Sequence, residues 1–149
     1  MKYLEPYIEQ LKQAGYKVTH QRLVILDYLL HSKEHPSAET IYADLKQRYP
    51  TISLATVYNT LEMLSKVGLV VDLGAPDERR RFDTNLQGHA HFFCRSCGKI
   101  IDLNLTSGEQ ALAKAVQHLP FKIERCRIDF FGECENCRSK AKPAKKNGE

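Results

Sequence analysis

Apolar positions recur at helical spacing through the first half of the chain and change period in the second. Leu4, Tyr7, Ile8 and Leu11 predict a helix over residues 3–14, with Gly15 placed to end it. Thr19 precedes a segment, 21–30, in which Leu23, Leu26, Leu29 and Leu30 crowd around the axis. That is the pattern of a helix buried on most sides. Ser37, just after Pro36, can cap a third helix carrying Ile41 and Leu45. Beyond Pro50, Ser53 can cap a fourth that runs to Val67 and stops at Gly68. Its inward stripe is Leu54, Val57, Leu61 and Leu64, and its other face shows Thr56, Tyr58, Asn59 and Glu62. Residues 69–73 and 79–83, separated by Gly74-Ala75-Pro76-Asp77, predict a short hairpin. Helices followed by a two-stranded ribbon predict a winged helix-turn-helix.

Past residue 84 the pattern alternates. His89, His91 and Phe93 interleave with Ala90 and Phe92, which predicts a strand, and 99–103 predicts another. Residues 107–118 form one amphipathic helix with Leu112, Val116 and Leu119 on a common stripe. Residues 121–131 predict a long third strand, with a slip of phase near Arg125 that marks a bulge. The chain therefore divides into a winged-helix domain over 1–83 and a small α/β domain over 84–137 with an antiparallel three-stranded sheet. The fold class is α+β.

Composition changes this picture little. At 149 residues, with 42% hydrophobic and 27% charged, the chain suits one large or two small soluble domains. No apolar run reaches bilayer length and the first fifteen residues do not resemble a signal peptide, so a cytoplasmic protein is expected, without membrane contact. The net charge of +4 is misleading. Residues 1–83 hold 11 basic and 11 acidic side chains and 84–137 hold 6 of each, whereas 138–149 hold 5 basic and 1 acidic. The excess lies in a tail that reads as disordered, so net charge alone does not argue for nucleic acid.

Local chemistry is more informative. Cys94, Cys97, Cys134 and Cys137 form two Cys-x-x-Cys pairs separated by a full helix. Two such turns complete a tetrahedral thiolate shell, which selects zinc and leaves no open position, so the ion would be structural. A pair of redox dithiols is the alternative. Cys126 is left over and reads as a small buried strand residue. His89 and His91 share a face of their strand and can reach one ion; Asp83, His35 and Asp102 are further possible ligands that spacing cannot assemble. The uncharged outer face of the fourth helix suits a major groove, with Tyr58 and Asn59 towards bases or phosphates, near Ser53 and Thr56. Lys17, Arg22 and Arg79 to Arg81 could meet phosphates; a plain solvated helix and ribbon is the competing reading.

In combination these residues resemble the ferric uptake regulator family of bacterial repressors. The resemblance is carried by Lys17-Val18-Thr19-x-x-Arg22, Ala55 to Leu61, Gly68-Leu69-Val70, Arg81-Phe82-Asp83, His89-x-His91, Cys94-x-x-Cys97-Gly98-Lys99 and Cys134-x-x-Cys137. It implies a homodimeric DNA-binding repressor, not an enzyme, with a structural zinc on the four cysteines. It also implies a regulatory Fe²⁺ or Mn²⁺ on His35, Asp83, His89, His91 and Asp102. Asp102, where iron sensors of the family usually have Glu, and Asn59 resemble the family's peroxide-responsive branch. In that branch His35 and His89 are the oxidation-sensitive residues. The expected target is an A/T-rich palindromic operator. An iron, zinc or manganese uptake regulator of the same family is the nearest alternative, and a thiol redox protein the more distant one. Many iron sensors carry another metal site; its positions fall on Gly88, Ala90, Glu109 and Cys126, two of which have no ligating side chain, so that site is expected to be absent.

Overall fold

The protein is described here by a computed structural model covering residues 2–75, 78–124 and 126–141. The chain forms two units, residues 1–86 and 87–149. Among the described residues no helix is long and apolar enough to cross a membrane.

The first unit begins with a short 3-10 turn, Lys2–Leu4, that runs into helix α1, Glu5–Gln13. Helices α2 (His20–His31), α3 (Ala38–Lys46) and α4 (Leu54–Val67) follow, and strands β1 (Val71–Asp72) and β2 (Phe82–Asp83) pair antiparallel as the wing. The Ser37 and Ser53 caps expected from sequence form, and Thr19, expected only to precede its helix, caps α2 as well. The Thr19, Ser37 and Ser53 hydroxyls accept from the backbone N–H groups of Arg22, Thr40 and Thr56, each satisfying a donor that the first helical turn would leave open. Gly68 ends α4 with φ 79°, a left-handed turn that returns its N–H to the Leu64 and Ser65 carbonyls. Val57, Leu61 and Leu64 are buried as expected, Leu54 is half-buried, and Thr60 and Met63 join the buried side. Thr60 is accommodated because its hydroxyl donates to the Thr56 carbonyl at 2.7 Å. The buried apolar residues of α4 share one core with Leu4 and Leu11 from the N-terminal turn and α1, Ile25, Leu26 and Leu29 from α2, Ile41 and Leu45 from α3, and Phe82 from the wing.

The wing is shorter than the sequence predicts, and the Pro76–Asp77 turn lies outside the described residues. A second ribbon contact compensates. Residues 36 and 37 run beside the wing, with a bridge between Ser37 and Arg81 and the Phe82 N–H donating to the Pro36 carbonyl at 3.2 Å.

The second unit contains β3 (Ala90–Cys94), β4 (Ile100–Leu103), helix α5 (Thr106–Val116), β5 (Asp129–Gly132) and helix α6 (Glu135–Ala141). The sheet order is β4-β3-β5, and it is mixed rather than antiparallel throughout. β3 and β4 pair antiparallel, but β5 lies parallel to β3, with Cys94 opposite Gly132. The α5 crossover returns the chain in the direction of β3, as a parallel connection requires. The third strand is also confined to four residues; the described part of 121–128 is not strand, and the bulge expected near Arg125 falls outside the described residues. Cys126 is exposed, not buried, because it precedes the strand. Residues 138–141, expected to open a disordered tail, are the end of α6, started by the turn that the Cys134-x-x-Cys137 pair imposes; 142–149 lie outside the described residues.

Candidate metal centres and nucleic-acid interface

The parallel pairing of β5 builds the thiolate cluster. β3 ends at Cys94 and turns through Cys97 into β4, held by Cys94 N–H to Lys99 carbonyl and Gly98 N–H to Cys94 carbonyl, both 2.9 Å. Gly98 sits at φ 72°, a conformation that favours glycine. Because β5 runs alongside, Gly132 lies next to Cys94 and accepts from the Arg95 N–H at 2.8 Å. Two residues further, Cys134 meets the first pair. An antiparallel third strand would have delivered Cys134 and Cys137 to the far end of β3.

The four sulfurs lie within 4.8 Å of one another. Cys94 to Cys137 and Cys97 to Cys134 are both 3.8 Å. Four thiolates around one Zn²⁺ at ~2.3 Å have tetrahedral edges of about 3.8 Å, so the residues fit that ion. Backbone N–H groups of Cys134 and Cys97 lower the Cys94 thiol to about 6, while bonds from the neighbouring thiols, Cys134 first, push Cys137 up to about 12. One thiolate forms readily and the crowding opposes the last, which is the electrostatic problem a cation solves.

Imidazole and carboxylate groups occur in both units. In the first, His35 Nε2 and Asp83 Oδ2 stand 3.4 Å apart, both nearly buried. The strand-like pairing of 36–37 with 81–82 sets them together, and Arg81 Nε donates to the His35 carbonyl. In the second, His89 Nε2 and His91 Nε2 lie 3.4 and 3.6 Å from the same oxygen of Asp102. The β3–β4 register places His91 opposite Asp102, so their side chains share a face. Separations of 3.4–3.6 Å are long for hydrogen bonds and suit two ligands held at ~2.1 Å by one ion. The five residues named in the sequence thus form a pair and a triad that can each contribute to a metal shell. Asp129, which sequence reasoning missed, lies opposite His91 on β5, 3.8 Å from its Nδ1, and is itself clamped by Arg127 at 2.8 and 3.1 Å. A carboxylate behind the non-ligating nitrogen is the usual support for a metal-binding imidazole. The Arg127-x-Asp129 spacing is visible in the sequence, but nothing there ties it to His91.

At the positions where the resemblance puts a further metal site, a Cβ on Gly88 would come within 2.9 Å of Glu109 Oε1, and Ala90 is fully buried.

On the first unit, Asn59 is exposed and Ser53 and Thr56 are joined through their hydroxyls at 2.8 Å. Tyr58 is not simply an outer-face residue. It is half-buried, packs against the core and donates its hydroxyl to Glu39 Oε1 on α3. That bond raises the Tyr58 phenol and lowers the Glu39 carboxyl, with the nearby Arg79 adding to the latter. Of the basic residues, Lys17 is exposed, while Arg22 is half-buried and donates to the Lys17 carbonyl. Arg80 is paired with Asp72 and Arg81 with the His35 carbonyl. Two of the three wing arginines are therefore engaged within the protein.

A winged helix joined to a unit with a four-thiolate knuckle and clustered imidazoles defines a metal-binding regulator of the winged-helix class. The ferric uptake regulator family model matches residues 13–131. The chain belongs to the ferric uptake regulator family. It is 38% identical over 138 residues to the peroxide-responsive repressor PerR of Staphylococcus aureus, covering 92% of this chain and 93% of that one. Among solved structures it is similar to the Helicobacter pylori ferric uptake regulator, described as having three functional metal binding sites, at TM-score 0.80 and 27% identity over 91% of both chains. It is also similar to PerR of Streptococcus pyogenes, at TM-score 0.51 and 34% identity over 89% of this chain and 91% of that one.

Proposed function

We propose that the protein is a metal-dependent, homodimeric DNA-binding repressor that senses peroxide through Fe²⁺. The observation that carries this reading is the single Asp102 oxygen placed between His89 and His91 Nε2, with a matching His35–Asp83 pair in the winged-helix unit. A short Asp at this position is what the resemblance associates with peroxide response, and the likeness to PerR supports it.

In this reading His35 and Asp83 join His89, His91 and Asp102 on one regulatory ion, Fe²⁺ or Mn²⁺, and Cys94, Cys97, Cys134 and Cys137 hold Zn²⁺. Three nitrogens and two oxygens suit these metals. Linking the two units through the shared shell restricts the reading helix of each protomer to one arrangement. Without that link the competent arrangement is only fractionally populated and operator affinity falls by that fraction. Dimerisation uses the second unit, where Leu112, Phe121, Ile123, Phe130 and Phe131 are exposed and α5 has no buried side chain among those described. The two α4 helices then address the half-sites of an A/T-rich palindrome, with Ser53, Thr56, Tyr58 and Asn59 at the groove and Lys17 and Arg22 near phosphates. A cytoplasmic location follows from that role.

A ferrous ion bound there would supply the one-electron chemistry that activates peroxide. Over the whole reaction one peroxide oxygen ends on the ring carbon of His35 or His89 and the other leaves as water. The oxidised ring is a weaker ligand, so the link between units is lost.

An uptake regulator of the same family shares these groups but releases DNA on metal depletion. Binding of an A/T-rich palindromic duplex, measured with and without Mn²⁺, tests metal dependence. The reading expects tight binding only with Mn²⁺ and its loss in Asp83→Asn; metal-independent binding would sink it.

A further inference from the structure

We propose that Glu39 determines which bases Tyr58 can recognise, by holding the only proton the phenol has to donate. The inference rests on the reading of α4 as the helix that contacts bases.

A tyrosine hydroxyl has one donor and two acceptor lone pairs. In this structure the donor is committed to Glu39 Oε1, nineteen residues away on the neighbouring helix. Both side chains are half-buried, so the contact is partly shielded from water. The carboxylate is held at the first turn of α3, whose cap is the Ser37 hydroxyl accepting from Thr40 N–H at 3.2 Å. A bond to an ionised acceptor is stronger than one between neutral groups, so the phenol keeps its orientation. The raised Tyr58 hydroxyl and lowered Glu39 carboxyl are the two sides of this contact, and Arg79 further favours the ionised carboxylate.

With its proton spent, Tyr58 presents only lone pairs and an aromatic ring to the groove. The major-groove edge of guanine offers two acceptors, N7 and O6, which cannot pair with a lone pair. Adenine N6 and cytosine N4 offer donors, and thymine offers a methyl group that suits the ring. Glu39 therefore excludes guanine at the position Tyr58 faces, without touching DNA itself. A site that leaves a polar edge unpaired discriminates strongly. Glu39 is a positioning residue for specificity.

The test uses the full-length Mn²⁺-loaded protein. A duplex is selected from a randomised pool by the wild-type protein, and each of its positions is then changed to guanine in turn. For the wild type, Glu39→Ala, Glu39→Gln, Tyr58→Ala, Tyr58→Phe and the Glu39→Ala/Tyr58→Phe double variant, affinities are compared across this set. Glu39→Ala should relax discrimination against guanine by about tenfold at one position of each half-site and leave the others unchanged. Glu39→Gln, whose amide oxygen can still accept the proton, should keep the wild-type preference. Tyr58→Phe, which has no proton to donate, should keep discrimination whether or not Glu39 is present. Thermal melting and Mn²⁺ binding serve as controls for folding. Unchanged base preference in Glu39→Ala, or a uniform loss at every position, would overturn the proposal while leaving the repressor reading intact. If Tyr58→Phe and Tyr58→Ala both bind the set as the wild type does, or if no duplex is selected, the reading of α4 fails first and this inference with it.

Discussion

Tyr58 carries two loads, since its ring packs on the winged-helix core while its hydroxyl donates to Glu39. Tyr58→Ala is therefore expected to weaken operator binding by about 1–3 kcal/mol, the worth of one good base contact, and to lower the melting temperature of the first unit as well. Zinc and regulatory-metal content should not change. Gel shift and calorimetry on the same preparation check both parts, and unchanged operator affinity would remove α4 as the reader. Tyr28 gives a separate residue-scale prediction. Burial, helped by a hydrogen bond to Asp44, pushes its hydroxyl from 10.0 to about 12. Between these values the folded protein keeps a proton that the unfolded chain has lost. The stability Tyr28 contributes is thus full below pH 10 and lost as pH rises towards 12. Tyr28→Phe should flatten the alkaline fall of denaturation midpoints over that window; an identical slope would contradict the assignment.

Elements whose signals are local were legible in the chain. Thr19, Ser37 and Ser53 cap helices where a hydroxyl precedes an apolar-periodic run, and Gly68 stops α4. Gly68→Ala, forcing a side chain to φ 79°, should cost about 1 kcal/mol by chemical denaturation. What sequence could not supply is pairing between distant segments. The parallel fit of β5 on β3 depends on the crossover through α5, and an alternating apolar run reads the same in either direction. That fit decides the thiolate site, because it sets Cys134 beside Cys94. For the same reason the metal and the sheet should be interdependent. Cys94→Ser should lose Zn²⁺ and with it the ordered second unit, since binding energy there is folding energy. A zinc-free variant that stays folded and dimeric would contradict this.

Across the whole molecule, spacing alone could put His89 and His91 on one face, but only the two Cys-x-x-Cys pairs were readable from it as metal chemistry. His35, Asp83 and Asp102 were not, because they are separated by up to 67 residues, and only family resemblance grouped them. Asp129 behind His91, Glu39 under Tyr58 and Asp72 holding Arg80 escaped entirely, since each is a contact between segments without a local signature. Together His35, Asp83, His89, His91 and Asp102 are read as a peroxide-sensing site. Peroxide sensing there is tested most directly by treating Fe²⁺-loaded and Mn²⁺-loaded protein briefly with hydrogen peroxide, then measuring operator binding and the mass of every His- and Cys-containing peptide. Only the Fe²⁺ form should lose DNA binding, with a single added oxygen on the peptides holding His35 or His89 and zinc retained. Equal sensitivity of the two forms, or oxidation confined to the cysteines with zinc release, would contradict it.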